Sequence, residues 1–116
     1  MTKFTYLAAR YIVVDADAKI DALRLVFDAE ANGLLDDATK LHCVVIADLD
    51  SDQIDEYGPN QITAALEHVS RANYLVGHNI TGYDLPLLRR LHNWTPAPAC
   101  TVADTLVSPK AEPAPS

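Results

Sequence analysis

Apolar and polar positions alternate in short blocks along this chain, and the blocks predict strands of ordinary length separated by two helices. Residues 23–27 form a mostly apolar run that delivers Asp28 at its end. Residues 31–37, punctuated by Gly33, read as a loop. Residues 40–47 predict a longer strand with Val44, Val45 and Ile46 at its buried centre. After an acidic turn at 48–52, residues 53–57 alternate as its antiparallel partner. Gly58-Pro59-Asn60 opens a helix, with Asn60 as N-cap and Ala64, Leu66 and Val69 on the apolar side. Residues 73–77 predict a further strand. Thr81 then caps a second helix whose first turn holds Asp84 and Pro86. Leu85, Leu88 and Leu91 recur on it at helical spacing, Arg89, Arg90 and His92 suit its C-terminal end, and Pro96 and Pro98 stop it. Residues 100–103 make a last strand that reaches Asp104.

This order predicts an α/β domain with a mixed sheet and flanking helices. Helical crossovers make parallel neighbours and favour a site at the carboxyl ends of the strands. Two end segments stand apart. Residues 1–22 form a leader whose apolar stretch at 4–14 suits either a strand or a short helix and a strand. Residues 108–116, rich in Pro and Ala, read as a disordered tail, leaving 23–107 as the domain proper.

Composition narrows the picture. A chain of 116 residues with 49% hydrophobic positions is one domain's worth with a real core. The formal charge of −7 argues against a broad basic surface for nucleic acid. It fits either a solvated acidic surface or carboxylates gathered around divalent cations. Cys43 and Cys100 are too few for a disulfide framework and read as buried thiols in a reducing cytoplasm. No apolar run approaches the ~20 residues that cross a bilayer, and the start of the chain lacks a signal-peptide layout, so an intracellular compartment is expected.

Two groups of residues carry candidate chemistry. In Asp28-Ala29-Glu30, strand periodicity points both carboxylates to the same face. Carboxylates held that close repel unless a cation neutralises them, and Mg²⁺ suits oxygen ligands. The same spacing also arises by chance in an acidic chain. The second group runs from Gly77-His78-Asn79 to Tyr83-Asp84-Leu85-Pro86, where a strand ends and a carboxylate appears in a helix's first turn. Read singly, Asp84 is an ordinary helix-start residue. His42, Cys43, His78, His92 and Cys100 lack zinc-ligand spacing, and the sequence holds neither a G-x-S-x-G nucleophile motif nor a Gly-rich phosphate loop.

In combination these residues resemble the DEDD superfamily of 3′–5′ exonucleases, most closely the amino-terminal proofreading domains of phage family A DNA polymerases. The first motif is matched by Phe27-Asp28-Ala29-Glu30-Ala31-Asn32-Gly33-Leu34-Leu35. The second is matched by Gly77-His78-Asn79, Tyr83-Asp84-Leu85-Pro86 and Leu88, and further matches are Lys40-Leu41-His42-Cys43 and Val102-Ala103-Asp104-Thr105-Leu106. The resemblance implies a ribonuclease H-like sheet and a site holding two Mg²⁺ (or Mn²⁺) ions. Asp28 would bridge the ions, Glu30 would complete one sphere, and Asp84 would hold the other ion. It also implies that Asn79 lies near the terminal nucleotide and Leu34 beside its base, with a single-stranded DNA 3′ end as substrate. Asp104 is expected to hydrogen-bond a neighbouring loop instead of a metal.

The superfamily's third motif, a later helix with a fourth carboxylate and a Tyr or His, has no match after Asp104. Tyr11-Ile12-Val13-Val14-Asp15 has the Y-x-x-x-D spacing, but on a strand such positions stand more than ~10 Å apart. The expectation is therefore a C-terminally truncated ribonuclease H-like domain with weak or absent activity on its own. One sheet face should be left uncovered for self-association, for the missing part of the domain or for a polymerase subunit. The competing readings are a non-catalytic interaction or metal-binding module that keeps this fold, and an unrelated α/β domain whose three acidic residues are surface features.

Overall fold

The computed structural model describes residues 22–106, so the leader (Ala22 apart), the Tyr11 to Asp15 spacing and the Pro/Ala tail lie outside the described residues. Strands β1 (Arg24–Ala31), β2 (Leu41–Asp48) and β3 (Ile54–Tyr57) form an antiparallel meander. Helix α1 (Ile62–Val69) crosses over to β4 (Tyr74–Gly77), and α2 (Leu85–His92) crosses over to β5 (Thr101–Asp104). Both crossovers return parallel strands, β4 beside β1 and β5 beside β4. The sheet order is β3-β2-β1-β4-β5, a mixed α/β architecture compatible with a ribonuclease H-like fold.

Strand alternation divides the side chains between the two faces. Leu25, Phe27 and Ala29 of β1, Val44 and Ile46 of β2 and Leu75 of β4 join Ile62, Ala65 and Val69 of α1 and Leu87 and Leu88 of α2 in the main core. Both helices thus contribute to the same cluster. On the other side Val26, Ala47, Leu49 and Val76 form a smaller cluster edged by Ala103, with no residue of either helix in it. Val26, Ala47 and Val76 are fully buried, so the expected uncovered face is not found at these positions. No helix among the described residues is long and apolar enough to cross a membrane.

The helix starts differ from the sequence reading. Asn60 does not cap α1; it lies within a 3₁₀ turn, Pro59–Gln61, in which the Gly58 N–H donates to Gln61 Oε1 at 2.8 Å. That turn takes up the entry residues, so α1 begins at Ile62 and buries Ile62, Ala65 and Val69, with Leu66 half-buried and Ala64 exposed. Thr81 is no cap either. Asn79 adopts a left-handed conformation (φ 57°) and Ile80–Asp84 make a π-helical turn before α2, closed by the Leu85 N–H on Ile80 O. Leu87 and Leu88 are the buried residues of α2, while Leu85 and Leu91 are half-buried at the edge of the core. Left-handed Asn93 (φ 52°), whose N–H donates to Arg89 O at 3.0 Å, stops α2 before either proline is reached. Trp94 packs against the main core at this helix end, with its indole N–H on Ser70 Oγ at 2.8 Å. Cys43 and Cys100 are free and half-buried, not fully buried.

Candidate active site

The site lies where the parallel strands end. The β1–β4 pairing stops at Val26↔Val76, whereas β1 runs on to Ala31 against β2. Past Val26 the β4 side of β1 is therefore open to another acceptor. Asp84 occupies that opening, its Oδ2 accepting the Ala29 N–H at 2.9 Å. Gly77 makes the close approach possible, because a Cβ there would stand 2.7 Å from Phe27 O and 3.0 Å from Ile80 Cβ. The π-helical turn, which widens the backbone between Ile80 and Asp84, then carries the carboxylate back to β1.

Asp28 and Glu30 flank the docked Ala29. The Phe27 and Ala29 side chains enter the main core, so Asp28 and Glu30 project from the opposite face, as the alternation predicts. Asp28 is half-buried and Glu30 exposed. The β1–β2 register slips beside Glu30, which pairs with Cys43 while Ala31 pairs with Leu41, leaving His42 as an extra residue. Such bulges re-aim neighbouring side chains.

Electrostatics distinguish Asp84. Only 3% of the residue is exposed, and its carboxyl is pushed up to about 8. Burial is the main cause, the charges of Asp28 and Asp104 add to it, and the Ala29 N–H opposes it. Around it, burial chiefly raises the Tyr83 phenol, with Asp84 and Glu30 contributing, and the Cys43 thiol, with Glu30 and Asp28 contributing.

Asp104 takes the structural part expected of it. Its carboxylate accepts the Asn79 N–H at 2.8 Å, the Thr81 N–H at 3.0 Å, the Thr81 hydroxyl at 2.6 Å and the Leu106 N–H at 2.9 Å. The Thr81 hydroxyl is therefore engaged here and not at a helix N-terminus. Burial alone would raise this carboxyl, but those four donors hold it below the ordinary carboxylate range. Beside it, His78 Nδ1 and Thr105 Oγ1 meet at 2.9 Å. The 78–81 loop that carries Asn79 is thereby tied to β5.

Leu34 is 75% exposed on the loop between β1 and β2, and Asn79 is exposed on the loop after β4. Two residues outside the expected set also bear on this region. Tyr83 Oη donates to Gly33 O at 2.9 Å, and Arg90 Nη2 donates to Leu35 O and Ala38 O, both at 2.5 Å. Tyr83 belongs to the second motif, where the sequence alone assigns it no role of its own. In sequence Arg90 reads as a helix-end charge. Nothing local in the sequence announces the long-range partners of either residue.

Among the described residues no three His, Cys, Asp or Glu side chains converge closely enough to hold a metal ion. Asp28 and Asp84 do come into mutual electrostatic reach, with Glu30 one residue beyond the peptide that Asp84 grips. As a donor set these are oxygens alone, and the buried Asp84 charge is disfavoured by its surroundings. Both properties suit a hard divalent cation.

Over part of its length this chain is similar to two phage polymerases. It is 39% identical over 71 residues to a DNA-directed DNA polymerase of Escherichia phage T7, and 41% identical over 71 residues to that of Enterobacteria phage T3. Each match covers 58% of this chain and 10% of the polymerase. The chain thus spans about a tenth of the length of these curated relatives, and that part is related to phage DNA polymerases. No protein-family model matches the chain.

Proposed function

We propose that this chain carries the metal-dependent 3′–5′ exonuclease (proofreading) domain of a phage-type DNA polymerase, acting on single-stranded DNA 3′ ends in the cytoplasm of the bacterial host. The observation that carries the reading is the Asp84 carboxylate, buried beside Asp28 on the backbone of β1 and pushed up to about 8. A fold does not bury a charge against a second carboxylate for stability's sake. A cation binding there would restore the ionised form.

In this proposal Asp28, Glu30 and Asp84 are the catalytic carboxylates and hold Mg²⁺ or Mn²⁺. Ions held there would supply Lewis-acid activation of water and stabilisation of the leaving 3′ oxygen. Asn79, fixed by Asp104 through its backbone, lies beside the terminal nucleotide, and Leu34 offers an apolar contact to its base. No helix follows β5 among the described residues, so no third-motif carboxylate is found there. A second reading is a non-catalytic metal-binding or interaction module that keeps this fold.

Titration calorimetry with Mn²⁺ tests the metal site. Binding by the wild-type chain, lost in Asp28→Ala and in Asp84→Asn, supports either form of the proposal, and absence of binding overturns both. Mg²⁺-dependent shortening of a single-stranded oligonucleotide from its 3′ end, abolished in Asp28→Ala, selects the exonuclease. Metal binding with no shortening selects the non-catalytic module.

A further inference from the structure

We infer that Arg90 and Tyr83 are positioning residues that set which 3′ ends the site accepts, by clamping the β1–β2 loop so that Leu34 projects at a fixed place beside the carboxylates. The inference rests on the exonuclease reading and adds the basis of its substrate discrimination.

The loop is held from two sides. Tyr83, one residue before Asp84, donates its hydroxyl to Gly33 O at 2.9 Å. Arg90, on the last turn of α2, places Nη2 between Leu35 O and Ala38 O. The loop also holds itself. Asn32 Oδ1 accepts the Thr39 and Lys40 N–H groups at 2.9 and 3.2 Å, and Leu34 O accepts those of Asp37 and Ala38 at 3.0 and 2.8 Å. Leu35 packs against the core and Ala38 is fully buried. Between these anchors Leu34 points outward with three quarters of its surface in solvent. A tie between two elements does not need a large apolar side chain held exposed on an immobilised loop. A wedge for a nucleobase does, because a side chain already in place loses little freedom on contact. Because Tyr83 precedes Asp84 in the chain, the clamp ties the loop to the residue next to that carboxylate. A 3′ nucleotide must then leave its stack to reach the carboxylates, which favours unpaired ends over paired ones.

The probe is a short oligonucleotide with 2-aminopurine at its 3′ terminus and a phosphorothioate last linkage, single-stranded or paired in a hairpin, titrated in Mn²⁺. Wild-type protein is expected to brighten the single-stranded probe and to bind it at least about tenfold tighter than the paired one. Arg90→Ala should cut that preference by about fivefold while Mn²⁺ affinity stays within about twofold. Arg90→Lys should fall between, because an ammonium does not reproduce the planar fork of the guanidinium. Tyr83→Phe should lower the preference by a smaller factor. An unchanged preference in Arg90→Ala, with Mn²⁺ binding intact, overturns the clamp and leaves the exonuclease reading standing. Loss of Mn²⁺ binding together with the preference shows a merely structural role and also overturns it. A wild-type chain that binds neither Mn²⁺ nor probe overturns the exonuclease reading itself, and the clamp with it.

Discussion

Asp84 and Asp104 sit near the same end of the sheet and are almost equally buried, at 3% and 5% exposure, yet the fold treats their charges in opposite ways. Asp104 receives four donors from Asn79, Thr81 and Leu106, and its carboxyl is held below the ordinary range. Asp84 receives the Ala29 N–H, faces the charge of Asp28, and is pushed up to about 8. Surface exposure is alike, but Asp84 is set much deeper in the protein, so loss of hydration dominates there, whereas at Asp104 the four donors outweigh it. A buried carboxylate whose charge the protein satisfies is a structural strut. One whose charge the protein leaves poorly satisfied is a candidate for an external cation. The contrast marks Asp104 as a framework residue and Asp84 as a candidate site residue.

The severest way to break the comparison is to disturb the residue between the two aspartates. Gly77 pairs with Asp104 across β5 and abuts Phe27 O, next in the chain to Asp28. In Gly77→Ala the new Cβ would stand 2.7 Å from that carbonyl, so β1 and β4 must part. The expected loss is about 3 kcal/mol, read as a lower urea midpoint. Asp104→Ala comes next. It strips the acceptor from the Asn79, Thr81 and Leu106 N–H groups, and because those residues border solvent, water recovers part of the loss. About 2 kcal/mol is expected from urea unfolding at neutral pH. A loss near zero would mean that the four hydrogen bonds do not hold the loop.

Asp84→Asn should act with the opposite sign on the metal-free protein. The amide oxygen can still accept the Ala29 N–H while the charge beside Asp28 disappears. At pH 9 we expect a gain of about 1 kcal/mol in urea unfolding, with Mn²⁺ binding lost. The wild-type pH profile tests the same point. A carboxyl raised in the folded state favours folding while protonated. Its contribution is fully present below the ordinary value of 3.8 and is lost as pH rises through about 8. The metal-free melting temperature should therefore fall between pH 6 and pH 9, and the slope should vanish in Asp84→Asn. Asp104, with a lowered carboxyl, contributes stability that is present above 3.8 and is lost as pH falls through its own lower value.

Much of this contrast was legible in the sequence. Strand alternation put Asp28 and Glu30 on one face, and the strand-loop-helix order brought Asp84 to the same sheet end, because both features rest on local periodicity. Asp104's duty was also legible, since a carboxylate at a strand end beside a polar loop has backbone donors within reach. The π-helical turn was not. It depends on a left-handed Asn79 and an i→i−5 bond, neither of which leaves a periodic trace, so in sequence Thr81 looks like a cap. The start of α1 was misplaced because Asn60 has the chemistry of a cap while the Gln61 side chain performs the local bonding. In sequence Arg90 looks like a helix-end charge, because its partners, Leu35 and Ala38, are 55 and 52 residues away and only the folded chain brings them together.

The smallest expected effect sharpens the comparison by supplying a third aspartate. Asp50 lies in the turn after β2 and pairs with Arg24, its side chain 49% exposed. It has a full charge and a cationic partner, which on a count of favourable contacts would rank it with Asp104. Water already solvates both groups, however, and the ion pair competes with that solvation and with mobile salt. Asp50→Ala should therefore cost no more than about 0.5 kcal/mol in urea unfolding, and less again as salt is raised. If instead it cost as much as Asp104→Ala, the difference between Asp84 and Asp104 would have to be assigned to charge pairing in general. A near-zero value leaves it where the geometry puts it, in the depth at which Asp84 lies and in the donors supplied to Asp104.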